Sequence, residues 1–191
     1  MSVNQLQRWS DRTGLRFSEQ KTVSMHICRK RGCPKLANEF KLNNTEIECK
    51  TQYKYLGLVI DNSLTWRNHI INLKGECVKR LNLLKHLSHT AWGADSASLT
   101  RLYKALILTK IDYGCEAYGS ACKSLLKTLE PVQNQAMRIA TGAFRSTPIQ
   151  SLQILSGLFP CAMHREYRKL QYVIRIIVNP NNPLMGLSLM L

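Results

Sequence analysis

Apolar positions along this chain repeat with two different periods. Up to Ile60 they alternate or fall in short runs, and from Trp66 onward they recur every three or four residues. Alternation marks a half-buried strand, and the longer spacing marks a helix with one buried stripe. Asn4 to Arg12 reads as a helix, with Leu6 and Trp9 three apart and Gly14 as its stop. Thr22 to Cys28 alternates and is β-branched, which predicts a strand. Arg29 to Pro34 is a basic turn, and residues 40–48 form a small hairpin turning at Asn43-Asn44. Tyr53 to Ile60 is the strongest strand pattern in the chain.

Beyond it, Trp66, Ile70, Leu73, Cys77, Leu81, Leu84 and Leu87 predict one long amphipathic helix. Trp92-Gly93-Ala94 breaks the pattern. Asp95 or Ser96 then caps a helix whose apolar face carries Leu99, Leu102, Leu106 and Ile107, and which ends near Tyr113-Gly114. A short helix over Lys123 to Leu129 follows, then one opened by Pro131 and stopped by Gly142. Ser146-Thr147-Pro148 predicts a hydroxyl cap with proline at the first helical position, in a helix ending at Gly157. A last helix spans Cys161 to Val178, closed by Pro180 and Pro183. The fold class is therefore α+β: a small antiparallel β element followed by a mostly helical region, with the change near Asn62-Ser63.

The charge changes what this fold is expected to meet. Lys and Arg number 27 against 12 Asp and Glu, a formal balance of +15. An excess of that size attracts polyanions, and each phosphate neutralised releases counterions. The seven cysteines, including Cys28 and Cys33, form no CxxC pair and no paired-ligand zinc pattern, so reduced thiols are expected. Met1 to Ser10 is polar, without a signal-peptide core, and the longest apolar run, Tyr172 to Val178, is broken by Arg175. The expectation is a soluble intracellular chain, nuclear or cytoplasmic, with no membrane partner.

Little in the residues points to catalysis. Two-metal chemistry needs carboxylates close together. Here Asp11, Glu19, Asp61, Asp95 and Asp112 stand singly, and Glu46 and Glu48 read as the exposed face of a hairpin. His26, His69, His86, His89 and His164 have no metal-ligand spacing, and no nucleophile elbow or phosphate loop occurs. Among the basic residues, Arg67, Lys74 and Lys85 are seven and eleven apart and share one stripe of the long helix, with Lys79 and Arg80 elsewhere on it. That stripe either lies along a phosphate backbone or is a solvated helix face. Gly57, inside a strong strand pattern, marks a bulge or a close backbone approach, by nucleic acid or by a packed helix.

A resemblance adds roles to these residues. GLRFSEQKT (14–22) is similar to the palm segment called motif D in reverse transcriptases of non-LTR, LINE-type retrotransposons. KYLGLVID (54–61) looks like their primer-grip segment. SLTWRNHI (63–70) and residues 92–114 resemble the thumb helices, and residues 129–160 the helical region after the thumb. The resemblance implies a C-terminal fragment of an RNA-directed DNA polymerase: end of the palm in 1–62, thumb in 63–121, post-thumb helices in 122–191. It implies that Tyr55, Leu56 and Gly57 hold the primer end, and that Lys21 is the motif D lysine assisting the incoming nucleotide or the leaving pyrophosphate. It implies contact with the phosphate backbone of an RNA–DNA or DNA duplex during target-primed cDNA synthesis. The family's Tyr-x-Asp-Asp aspartates and its fingers precede motif D and are expected outside these residues. Mg²⁺ is thus implied for the full-length parent with no cofactor bound by this chain, and the missing N-terminal fingers and palm are the expected protein partner. Activity of the chain alone is doubtful on this reading. The alternative is a non-enzymatic, basic helical nucleic-acid-binding or interaction protein derived from such an element.

Overall fold

The computed structural model of the chain describes residues 3–30, 40–42, 45–89, 92–179 and 181–183. Cys33, the Asn43-Asn44 turn, most of the Arg29 to Pro34 turn and Pro180 lie outside the described residues. The chain divides into two compact units, residues 1–66 and 67–191. The class is α+β, with two small antiparallel sheets in the first unit and helices filling the second.

In the first unit, helix α1 (Val3–Thr13) stops where Gly14 turns left-handed at φ +72°. Strands β1 (Lys41–Leu42) and β2 (Thr45–Glu46) pair as the expected hairpin, Lys41 facing Glu46 and Leu42 facing Thr45. Leu42, Ile47 and Val59 are buried in this unit. Residues 22–28 do not become a strand. They make a single parallel bridge, Ser24 to Cys49, through Ser24 N–H to Glu48 O and Lys50 N–H to Ser24 O, both 2.9 Å. Farther along, Cys28 N–H reaches Asn62 O at 2.9 Å. Alternation supplies the two faces of a strand, but a ladder also needs consecutive partners, and here the bonded neighbours change from one end of the segment to the other.

The segment Tyr53 to Ile60 is likewise not one strand. It is a hairpin of β3 (Gln52–Tyr55) and β4 (Leu58–Asp61), with Tyr55 facing Leu58 across a two-residue loop. Leu56 and Gly57 both have positive φ, +46° and +82°. Two successive left-handed residues are the type I′ pattern, whose twist matches the strands it joins. Gly57 is thus not a bulge inside a strand. It is the turn.

In the second unit, α2 (Arg67–Leu87) buries Ile70, Leu73, Cys77, Leu81 and Leu84 as the spacing predicts, together with His69. Asp95 caps α3 (Ser96–Tyr103), its carboxylate accepting from Ala97 N and Ser98 N at 3.1 and 3.4 Å. The helix continues through a π turn (Lys104–Leu108) into α4 (Thr109–Asp112). Its buried face is Leu99, Tyr103, Ile107 and Ile111, with Leu102 and Leu106 only half-buried. A step of four keeps Tyr103 on the face of Leu99 within α3, and the π turn, which holds more residues than an α turn, keeps Ile107 and Ile111 on that face.

A one-turn helix α5 (Cys115–Tyr118), not foreseen from the pattern, follows Gly114. α6 (Lys123–Lys127) is two residues shorter than expected. Helix α7 (Glu130–Thr141) ends at left-handed Gly142, and α8 (Ile149–Ser156) at left-handed Gly157. No hydroxyl caps α8: Pro148 itself is the cap residue, with extended ψ. Helix α9 (Cys161–Val178) has the expected bounds. Gly119, after α5, sits where an added Cβ would meet Cys115 O at 2.4 Å and Lys169 Cε at 3.1 Å.

Helix α7 is the centre of this unit, packing against α2, α3, α6 and α8. Its Val132, Ala136, Met137 and Ala140 are buried, and so is Gln133 at 3% exposure. Both ends of the Gln133 carboxamide are used. Its Nε2 donates to Phe159 O at 2.7 Å, and its Oε1 accepts from Cys161 N at 3.0 Å and from the Cys161 thiol at 2.8 Å. It thereby satisfies a backbone donor at the start of α9.

Replacing Gly57 with alanine is expected to cost the β3–β4 hairpin about 1–2 kcal/mol, because a side chain enters a left-handed position. Leu56→Asn, which suits a type I′ turn, is expected to act in the opposite direction. Amide exchange of the hairpin in the full chain measures both, and equal protection in the two variants would contradict the turn assignment.

Candidate nucleic-acid interface

The type I′ turn puts its own residues outward. Tyr55 is 60% and Leu56 70% exposed, an aromatic and an aliphatic side chain side by side at the tip of the hairpin. A leucine that is both left-handed and exposed gains nothing from burial and carries steric cost, so the fold itself does not account for its presence. The opposite end of the hairpin is closed by Asp61. Its carboxylate accepts from Ser63 N, Thr65 N and Trp66 N at 3.1, 3.0 and 2.8 Å and from the Thr65 hydroxyl at 3.1 Å. Partial burial raises the Asp61 pKa, but these bonds outweigh it and hold the carboxyl below its usual 3.8. Asp61 is committed to the turn before Arg67.

Lys21 is exposed at the end of a 3₁₀ turn (Glu19–Lys21). On α2, Arg67, Lys74 and Lys85 are all exposed on one stripe, about a quarter-turn of the helix from the buried face. Arg80 departs from the expectation of a surface charge. It is half-buried, and its guanidinium donates to the carbonyl of Leu106 in the π turn. Near the end of α2, the Trp92 indole stacks on His89 at 5.1 Å and meets the edge of His86 at 5.5 Å.

Helix α9 carries polar groups whose roles could not be read from spacing. His164 Nε2 lies 3.0 Å from Asp112 of α4, and Arg168 Nε lies 3.9 Å from the same carboxylate. Arg165 is buried. Outward, α9 exposes Met163, Tyr167, Leu170, Ile174 and Val178, which at spacings of three and four form one apolar stripe along the helix.

The expected exposed faces of Glu46 and Glu48 are present, with Lys41 3.9 Å from one and Lys50 3.1 Å from the other. Six cysteines are free thiols. Burial pushes Cys77 and Cys115 up to about 11 and Cys161 up to about 12, so these three are chemically quiet. Among the described residues, no three His, Cys, Asp or Glu side chains gather in a group that could hold a metal ion. No helix among them is long and apolar enough to cross a membrane.

Comparison with known proteins bears on what this arrangement contacts. No protein-family model matches the chain, and no solved structure matches it. Curated relatives do. The chain is 25% identical over 142 residues to the RNA-directed DNA polymerase from mobile element jockey of Drosophila melanogaster, covering 74% of this chain and 15% of the relative. It is 24% identical over 144 residues to the Pol polyprotein of the type-1 retrotransposable element R1 of Bradysia coprophila, covering 73% and 14%. Against the R1 4 polyprotein of Nasonia vitripennis it is 23% identical over 178 residues, covering 84% and 45%. The chain is related to the reverse transcriptases of non-LTR retrotransposons. It spans about a seventh of the length of the jockey and Bradysia R1 relatives and less than half of the Nasonia one.

The lowered Asp61 pKa has a sign that can be tested. A carboxyl depressed in the folded state contributes stability that is present above about 3.8 and is lost as the pH falls through its folded value. Asp61→Asn is therefore expected to destabilise the first unit at neutral pH, with the difference from the natural chain closing below that value. An NMR titration of the Asp61 carboxyl is expected to give a midpoint under 3.8, and a midpoint above it would refute the hydrogen-bonding account.

Proposed function

We propose that this chain is the part of a non-LTR retrotransposon reverse transcriptase that holds the primer–template duplex rather than the part that joins nucleotides. Tyr55, Leu56 and Gly57 grip the primer end. Arg67, Lys74 and Lys85 lie along the phosphate backbone as thumb contacts, and Lys21 attends the incoming nucleotide or the leaving pyrophosphate. The Mg²⁺ ions belong with carboxylates elsewhere in the full-length polymerase, whose fingers and remaining palm complete the enzyme.

The observation that carries this reading is the exposed Tyr55-Leu56 pair on a left-handed turn, in the segment that resembles a primer grip. An apolar side chain held outward at conformational cost is explained by contact with something outside the fold, and a terminal base pair offers an apolar face of that size. The relatives named for RNA-directed DNA polymerases support the substrate class. The apolar surface of α9 favours a second reading, a basic interaction protein in which that helix is covered by a protein partner. Binding that survives loss of every basic contact would favour that reading.

Binding to a recessed RNA–DNA duplex, followed by fluorescence anisotropy, is expected to weaken steeply with salt. Each phosphate contact contributes a slope of about 0.9 in log K against log salt. The triple variant Arg67→Gln, Lys74→Gln, Lys85→Gln is expected to lower that slope by about 3. Leu56→Asp is expected to reduce the preference for a recessed end over a blunt one while leaving the slope nearly unchanged. Affinity indifferent to salt would overturn the duplex-holding role.

With Mg²⁺ and all four nucleotides, the pure chain is expected to extend no primer. Extension would show that the carboxylates are not elsewhere.

A further inference from the structure

Helix α9 has two apolar faces. The inner one, marked by Cys161 and Ile176, is buried in the helical unit. The outer one carries Met163, Tyr167, Leu170, Ile174 and Ile177, each between 54 and 61% exposed. These five are spaced alternately four and three apart. That is the heptad repeat of a coiled-coil seam, with Tyr167 and Ile174 at a and Met163, Leu170 and Ile177 at d. A helix that serves one core needs one stripe, so the second is unexplained by the unit's own packing.

The charges of α9 avoid this seam. At 100° per residue, Arg165, Arg168, Lys169 and Arg175 all fall on the opposite half of the helix. The positions beside the seam are His164, Gln171 and Val178 on one edge and Glu166 and Val173 on the other. In a chain of formal charge +15, the seam and its edges thus hold no lysine or arginine. An acidic partner would find little there to pair with. The surface suits an uncharged apolar helix of the same period, and α9 of a second copy is one.

We propose that α9 is a self-association seam, through which two copies of this chain pair about a two-fold axis. Such an interface presents the same patch from both sides, so each seam meets itself. Ile at a with Leu at d, as in Ile174 and Leu170, is the combination that favours two strands. Two and a half heptads are short for an isolated coiled coil, but α9 is already folded on its inner face, so pairing does not have to form the helix. Covering the seam and Val178 removes roughly 600 Å² per copy, near the ~800 Å² of a standard interface. Met163, Tyr167 and Leu170 also form one wall of a cavity of about 560 Å³ whose α6 side includes Leu126, which gives knobs of the partner helix a space to enter. The seam lies within the helical unit and does not rest on the duplex-holding role of the hairpin or of α2.

Sedimentation equilibrium of the full chain, free of nucleic acid, is the test. The expected species has twice the mass of one chain and dissociates on dilution with a constant on the order of micromolar. Raised salt is expected to strengthen it, because the copies repel overall while the seam is uncharged. Association bridged by nucleic acid would weaken with salt instead, and that sign overturns the seam. Leu170→Glu, Ile174→Glu changes two exposed side chains and is expected to give a monomer of unchanged helix content. Ile177→Glu, next to the helix end, is the milder variant and is expected to weaken pairing about tenfold. Ile154→Glu on α8, where the side chain is 82% exposed, is expected to leave the dimer intact. Pairing that survives both seam variants, or is lost equally in the α8 variant, overturns the assignment. So does a monomer at every concentration up to about a hundred times the expected constant, which would mean that a different polypeptide segment covers the stripe.

Discussion

The helical unit depends on one buried carboxamide. Gln133 stands in the first turn of α7, a helix packed against α2, α3, α6 and α8, and its side chain reaches a segment 26 to 28 residues farther along the chain. There it pairs the last carbonyl before Pro160 and the first amide of α9. A buried amide in an apolar core is a liability unless its donor and acceptors are all met, and Gln133 finds partners on both sides at once. Helix α9 therefore begins at a fixed point, and everything it carries is placed from there: the Asp112 contact of His164, the buried Arg165, and the apolar outer surface.

The large formal charge also looks different once the side chains are placed. Several arginines are not available to a polyanion. Arg80 is spent on the Leu106 carbonyl, Arg138 on the carbonyls of Asn134 and Thr147, Arg168 on Asp112, and Arg165 is inside. Lys74 and Lys85 of α2, and Lys123 and Lys127 of α6, are by contrast exposed. This division follows from chemistry: guanidinium groups satisfy several acceptors in a plane and tolerate partial burial, while ammonium groups stay hydrated. The charge that counts for binding is thus smaller than +15 and is shared between exposed lysines and exposed arginines such as Arg67 and Arg175.

Most of the helical unit could be read from the chain because its signals are local. Gly14, Gly114, Gly142 and Gly157 all adopt the left-handed conformation that ends or begins a helix, and the apolar spacing of α2 survives into its buried face. The misreadings have specific causes. Leu56-Gly57 lacks the asparagine or aspartate that advertises a type I′ turn, so a hairpin passed for one strand with an odd glycine. The π turn after α3 carries no sequence mark, yet it keeps Ile107 and Ile111, and not Leu106, on the buried face of Tyr103. Gln133 and the Asp112–His164 pair act across 26 or more residues, where no local pattern reaches.

Gly119 sets a distance that none of those contacts could set alone. It faces the Lys169 side chain of α9 and the backbone oxygen of Cys115, and it lines the α6–α9 cavity. The missing carbon there works as a spacer of zero thickness. A methyl group at 119 would collide with the Cys115 oxygen four residues earlier, in backbone that cannot swing aside as the Lys169 side-chain end can, so the single turn of α5 would have to open. The closure of that turn is in this sense set from a position that carries no side chain at all.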